Sequence, residues 1–352
     1  MVLSGIVAVV GAAVVSLLPV PYAVMGPGPV LNTLGDVGGK PLIVIGGSTK
    51  DYPDNSGTLD LTTVSLSGGP GNRVTLEQAL SGWLDPTEAV LPETALFPKH
   101  TTAQQQAQEN KAEMDDSQQE ATAAALRALG YKLGIKVVVS EVEAKYPASA
   151  VLQVDDVITS VGGRPTGDAD TLRDAVRASV LRPVVAGERV AVKVVRDGRT
   201  MDLQVPISVV DKQPIFGIVV RNDFVFPVPV VFQIKNIGGP SAGMMFALSI
   251  IDRLTPGSMT GGKKIAGTGE IVVDGQVGPI GGIRQKMVGA RRAGADYFLA
   301  PADNCDEVVG HIPSGLRVFE VSTLTQARET VDRIAVGALD GLPTCHASSA
   351  GH

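Results

Sequence analysis

The first 35 residues contain no Asp, Glu, Lys or Arg. Charge is sparse elsewhere too: charged residues make up 19% of the 352-residue chain, below the usual quarter. The 30 basic residues are outnumbered by 36 acidic ones, for a net charge of −6. That balance argues against a nucleic-acid partner, which normally demands a basic excess. Histidine occurs only at His100, His311, His346 and His352. A mechanism built on several histidines is disfavoured, and no His-Glu-x-x-His run exists. Two cysteines, Cys305 and Cys345, exclude a cysteine-ligated cluster within one chain and a disulfide-dense scaffold. In an oxidising compartment they could form one bridge; otherwise they are two thiols. No metal and no cofactor is expected.

What is present begins with an apolar run over residues 1–18, closed by Pro19 and Pro21. At about 1.5 Å per helical residue, roughly 18 residues just reach across a ~30 Å hydrocarbon core. Residues 1–24 therefore read as a transmembrane anchor, with Tyr22 suited to the interface. A cleaved signal peptide is the main rival, although no convincing small-x-small site precedes Gly26-Pro27-Gly28-Pro29. No Lys or Arg flank fixes orientation. A single N-terminal anchor usually leaves the rest of the chain extracytoplasmic.

Residues 25–130 show Pro/Gly turns, a strand pattern at 59–66, a short amphipathic helix at 75–84 and a long Gln/Ala-rich helix at 102–129. Nothing in them suggests chemistry, and they read as a spacer and packing module. From Leu133 the pattern turns to strands, with a hairpin about Asp197-Gly198. The runs Leu133-Gly134-Ile135, Ala148-Ser149-Ala150-Val151-Leu152-Gln153-Val154-Asp155-Asp156-Val157-Ile158 and Val161-Gly162-Gly163 resemble a bacterial-type PDZ domain, placed at 131–210. That resemblance implies peptide addition to a sheet edge, with Leu133, Gly134 and Ile135 as the carboxylate-binding loop. Asp155 stands where the family usually has Gly.

The last stretch, 211–340 before a tail at 341–352, is the most informative. Gly238-Gly239-Pro240-Ser241-Ala242-Gly243 precedes Met244–Leu254, which is apolar almost all round and therefore a buried helix. A serine at such a helix start lies near amides able to stabilise an oxyanion, though serine there is more often an N-cap. Lys286 falls in the first turn of a helix over 283–293. The dipole and burial both lower a lysine pKa at that place, although a lone lysine is more often a solvated surface residue.

Together, Gly239-Pro240-Ser241-Ala242-Gly243, Thr268-Gly269-Glu270 and the run from Gly275 to Lys286 resemble the proteolytic domain of Lon-type peptidases. The resemblance implies a catalytic Ser241–Lys286 dyad, Thr268 orienting the lysine, and Gly239, Pro240 and Ala242 in support. Gly238 departs from the Asp common in ATP-dependent members. A lysine base needs no histidine. Gly257–Lys264 nearly fits a P-loop, but Lys264 replaces the Mg²⁺-binding Ser/Thr and the run follows a helix, so no ATP is expected.

The fold class expected is α/β and α+β multidomain: transmembrane helix, mixed spacer, PDZ β-sandwich-like domain and Lon-type α/β proteolytic domain. In order, these resemble membrane-anchored PDZ–Lon-like serine peptidases. The implied function is ATP-independent endoproteolysis of protein or peptide substrates at the outer membrane face. The competing reading is a PDZ scaffold on a silent Lon fold. Rings in ATP-dependent relatives make a homo-oligomer an open expectation.

Overall fold

The structure is a computed structural model describing residues 15–53, 56–98, 101–180, 185–234 and 237–346. The chain divides into two compact units, 1–131 together with 228–352, and 132–227.

The first unit opens with β1 (Tyr22–Asn32), β2 (Ile43–Ile45) and β3 (Thr58–Ser67). Helix α1 (Leu76–Leu84) starts from a Thr75/Gln78 capping box, and β4 (Ala89–Pro92) follows. Helix α2 (Ala103–Ala128) starts from a second capping box, Thr102/Gln105. Each box satisfies two amides that a helix start would otherwise leave unpaired. Residues 1–14 of the expected anchor lie outside the described residues. Among the described residues no helix is long and apolar enough to cross a membrane. The expected anchor boundary at residue 24 gives way to β1: Tyr22, Ala23 and Val24 pair with β4, and Ala23 and Val24 are buried. The prolines at 19 and 21 stop a helix, and the sheet takes up the chain directly after them.

The second unit contains β5 (Gly134–Val142), β6 (Val157–Val161), helix α3 (Ala169–Ala178), β7 (Arg189–Arg196), β8 (Arg199–Pro206) and β9 (Ile218–Val225). The sheet order is β8-β7-β6-β5-β9, antiparallel throughout. The β7–β8 hairpin turns at Asp197 and Gly198, both at positive φ, as a two-residue turn requires. Asp155 also has positive φ (68°). A short polar side chain tolerates that region, which accounts for Asp where glycine is usual. The unit needs β9, so the boundary expected at 210 moves to 227.

The chain re-enters the first unit through β10 (Val230–Phe232) and helix α4 (Gly243–Leu254). After these come β11 (Lys264–Gly267), β12 (Glu270–Ile271), β13 (Val277–Gly278), α5 (Ile283–Arg292), β14 (Tyr297–Pro301), β15 (Arg317–Val321) and α6 (Leu324–Ala335). The main sheet runs β15-β14-β11-β3-β1-β4. Its first four strands are parallel, and β1 pairs antiparallel with β3 and β4. Residues Gly243 to Arg253 of α4 are all buried, as an all-round apolar helix must be.

This architecture corrects the reading of 25–130 as a spacer. Strands β1, β3 and β4 belong to the same sheet as β11, β14 and β15, and α2 packs into the same core. Met114, Ala121, Ala124 and Ala125 of α2 share one apolar cluster with Met244, Phe246 and Ile250 of α4. Alanine contributes little hydrophobicity, so the pattern read as polar; its small side chain is what lets two helices approach closely.

Candidate active site and peptide groove

Ser241 lies at the turn before α4. It does not cap the helix: the N-cap is Ala242, and no side chain caps it. Gly239 has φ of 85°, which frees the turn to swing away from the strand direction. Gly243 N donates to Pro240 O at 3.3 Å, and Gly269 N donates to Ser241 O at 2.9 Å. Among the described residues the Ser241 and Ala242 amides have no acceptor, and no hydrogen bond holds the Ser241 hydroxyl.

The run over 264–273 is not one strand: it breaks at Thr268-Gly269, between β11 and β12. The break matters, because it turns Thr268 into the site. Thr268 Oγ1 donates to Ser241 O at 2.9 Å and accepts from Lys286 Nζ at 3.1 Å. Thr268 is fully buried and Lys286 is 2% exposed. Burial lowers the Lys286 pKa to about 7, against the opposing pull of the Glu270 carboxylate. Desolvation wins because removing an ammonium from water costs more than one partly solvated anion returns. Lys286 rides on α5, whose N-cap Gly282 is left-handed (φ 69°). A Cβ there would come within 2.7 Å of Val64 Cγ1 and 2.8 Å of Met25 Sδ, so glycine lets α5 start hard against the sheet.

A cavity of about 330 Å³ is lined by Gly239, Pro240, Ser241, Ala242, Glu270 and Lys286, with apolar walls from Pro29, Val64, Met114, Ile237 and Ile280. The structure thus brings Ser241, Lys286, Gly239, Pro240 and Ala242 around one space, with Thr268 behind the lysine. Lys286 donates to Thr268 and not to Ser241; hydrogen bonds between a nucleophile and its base are often loose without substrate.

Sequence reasoning placed the helix α2 but missed its part in the site. Ser117 Oγ donates to Pro240 O at 2.9 Å, and Gly239 N donates to Asn110 O at 3.2 Å. A Cβ on Gly238 would fall 2.6 Å from Asn110 Cβ. That contact explains why no aspartate fits at 238. The Ser117–Pro240 link spans 123 residues, and no local pattern announces it.

In the second unit, β9 is an edge strand whose outer side is unpaired among the described residues. A groove of about 360 Å³ runs between it and α3, lined by Leu172, Val176, Phe216, Gly217, Ile218 and Val220 among others. The run over 215–220 is broken at Phe216-Gly217, just before β9 begins at Ile218. Gly217 has φ of 72°, and a Cβ would lie 2.0 Å from the Tyr146 ring. Its carbonyl accepts from Glu143 N at 3.0 Å. The Leu133-Gly134-Ile135 loop is elsewhere. Gly134 and Ile135 pair with Val225 and Phe224, whereas Ile218, beside the turn, pairs with Val142. Seven residues of strand separate the two ends, roughly 24 Å. The signal that identifies the turn is one glycine within Ile215-Phe216-Gly217-Ile218, just before an alternating strand.

Residues 234–337 match the family model of the Lon protease (S16) C-terminal proteolytic domain. This stretch is a Lon-type proteolytic domain. Residues 106–207 match the PDZ domain model. The chain carries a PDZ domain, although residues 106–131 of that match belong to α2 and its exit, and the folded unit extends to 227. Lon protease 1 of Sorangium cellulosum is 41% identical over 92 residues, 25% of this chain and 11% of that protein. Lon protease 1 of Bacillus subtilis is 39% identical over 79 residues, 22% and 10% of the two chains. The chain thus spans about a tenth of the length of these curated relatives. The solved PDZ domain of the SdrC-like protein from Listeria monocytogenes matches at 21% identity and TM-score 0.21, covering 24% of this chain and 85% of that one.

Proposed function

We propose that this protein is an ATP-independent serine endopeptidase in which Ser241 is the nucleophile and Lys286 its general base. The observation that carries the reading is a buried lysine, with a pKa near 7, facing the same cavity as a serine at a helix start. Near neutral pH about half of such a lysine is neutral and able to take a proton. The Ser241 hydroxyl proton passes to Lys286 Nζ as Oγ bonds to the substrate carbonyl carbon. The Ser241 and Ala242 amides, free of protein acceptors among the described residues, are the donors suited to the oxyanion. Collapse breaks the C–N bond, and the leaving amine takes the proton from Lys286. Water then adds to the acyl-enzyme, losing a proton to Lys286; collapse breaks the bond from the acyl carbon to Ser241 Oγ, and Lys286 returns the proton to that oxygen, freeing the acid product and restoring the neutral lysine. Thr268 holds the lysine and ties it to the backbone of the nucleophile.

The PDZ groove would recruit substrates by pairing a peptide with the open edge of β9, the turn at Phe216-Gly217 receiving a terminal carboxylate. The Cys305–Cys345 disulfide supports an oxidising, extracytoplasmic location, and the charge-free N-terminal run supports a membrane anchor. Independence of ATP is supported by Gly257–Lys264, which joins a helix to a strand and lacks the Mg²⁺-binding hydroxyl.

The test is cleavage of an unfolded protein without ATP by the wild type, Ser241→Ala and Lys286→Ala. Cleavage by the wild type alone is expected; equal cleavage by all three would falsify the dyad. A second reading, a PDZ scaffold on a silent Lon fold, draws on the absence of a direct Ser241–Lys286 hydrogen bond among the described residues. Peptide capture unaffected by Ser241→Ala, with no turnover by the wild type, would favour it.

A further inference from the structure

Helix α1 has a buried face and a bare one. Ala79 and Gly82 are buried, and a Cβ on Gly82 would lie 2.8 Å from Val24 Cγ1, so this face lies flat on β1. The other face carries Leu80, Trp83 and Leu84, which are 48%, 78% and 85% exposed. Their i, i+3, i+4 spacing makes one stripe. Trp83 is the only tryptophan in the chain, and a large apolar ring left in water needs a reason.

The chain leading into the fold runs beside this helix. Leu76 N donates to Leu18 O at 2.9 Å and Val20 N to Val74 O at 3.0 Å, and Pro19 bridges to Thr75. Leu17 and Leu18 are themselves exposed. Residues 1–18 contain no charged side chain. The bare stripe therefore adjoins the place where a charge-free run meets the folded unit.

We propose that α1 is an interfacial helix that beds Leu80, Trp83 and Leu84, with Leu17 and Leu18, in the surface of a lipid bilayer. The inference rests on the reading that the N-terminal run reaches a membrane. That continuity makes lipid the occupant, since an anchored chain presents its membrane-proximal surface to the bilayer. Tryptophan suits the boundary, with an apolar ring and a polar N–H. Helix α1 contains no Lys or Arg, so the attraction is apolar. Zwitterionic lipid suffices, and salt does not release the helix.

The experiment uses the full chain with phosphatidylcholine vesicles, some brominated on the acyl chains, and reads Trp83 fluorescence. The expected result is flotation with the vesicles, a blue-shifted emission, roughly twofold or greater quenching by bromolipid, and protection from aqueous iodide. These persist at about 1 M salt, where the screening length is ~3 Å. Leu80→Ser/Leu84→Ser should still float but lose most bromolipid quenching. Flotation with Trp83 open to iodide and untouched by bromolipid overturns the proposal while leaving the anchor intact. No flotation overturns both. Trp83 shielded from iodide yet not quenched by bromolipid means that protein covers the stripe, residues 1–14 or a second copy, and also overturns it.

Discussion

The Ser117 hydroxyl donates to the carbonyl of Pro240 at 2.9 Å, joining the middle of α2 to the residue before Ser241. One hydrogen bond is worth about 0.5–1.5 kcal/mol, so Ser117→Ala should lower kcat by roughly two- to tenfold with little change in KM. Ser117→Thr, which keeps the hydroxyl, should restore most of the rate. An equal loss in both variants would point to packing instead of the bond.

The pH dependence follows from Lys286. With its pKa at about 7, kcat/KM should rise through neutrality and level off above it, because the base must be neutral. Glu270 stabilises the ammonium. Glu270→Gln should therefore move this rise to lower pH; a profile that does not move would remove Glu270 from the electrostatics of the site.

The same lysine links stability to pH. The unfolded chain holds its proton up to about 10.5 and the folded one only to about 7. Between these values the unfolded state binds more protons, so this contribution to stability falls as pH drops through the window. Lys286→Met should raise Tm at pH 7 and below, and the gain should shrink toward pH 10. Thermal scans across this range check it.

Peptide binding should depend on the Phe216-Gly217 turn. Amidating the C-terminus of a bound peptide should weaken it about tenfold, the scale of one lost charge-assisted contact. Leu133→Ala should leave affinity unchanged, since that residue lies at the far end of the β5–β9 ladder. Fluorescence anisotropy with paired free-acid and amide peptides decides between the two locations.

The disulfide closes a loop of 40 residues. Loop-closure entropy puts its contribution at about 4 kcal/mol, so reduction or Cys345→Ser should lower Tm by roughly 10 °C. A transition indifferent to reductant would show that the bridge adds nothing.

Much of the site was legible because its parts are short and local. The Gly-Pro-Ser-Ala-Gly turn, the apolar run behind it and the lysine one turn into α5 each lie within a dozen residues. The break at Thr268-Gly269 was hidden inside a strand-like pattern, since threonine reads equally well as strand. The Leu133-Gly134-Ile135 run has the composition of a binding turn, yet Gly134 and Ile135 are paired with Val225 and Phe224, and only the pairing reveals that.

By itself the sequence determined the units of local order: the capped helices, the Asp197-Gly198 hairpin, the buried α4 and the residue types around the candidate dyad. Periodicity and turn chemistry act over a few residues and are written where they act. Only the tertiary structure decided that β1, β3, β4 and α2 build the proteolytic unit rather than space it, and that the serine turn hangs from Asn110 and Ser117. Those pairings cross more than 100 residues and an intervening domain. They arise from sheet register and helix packing, which depend on partners that no local window contains.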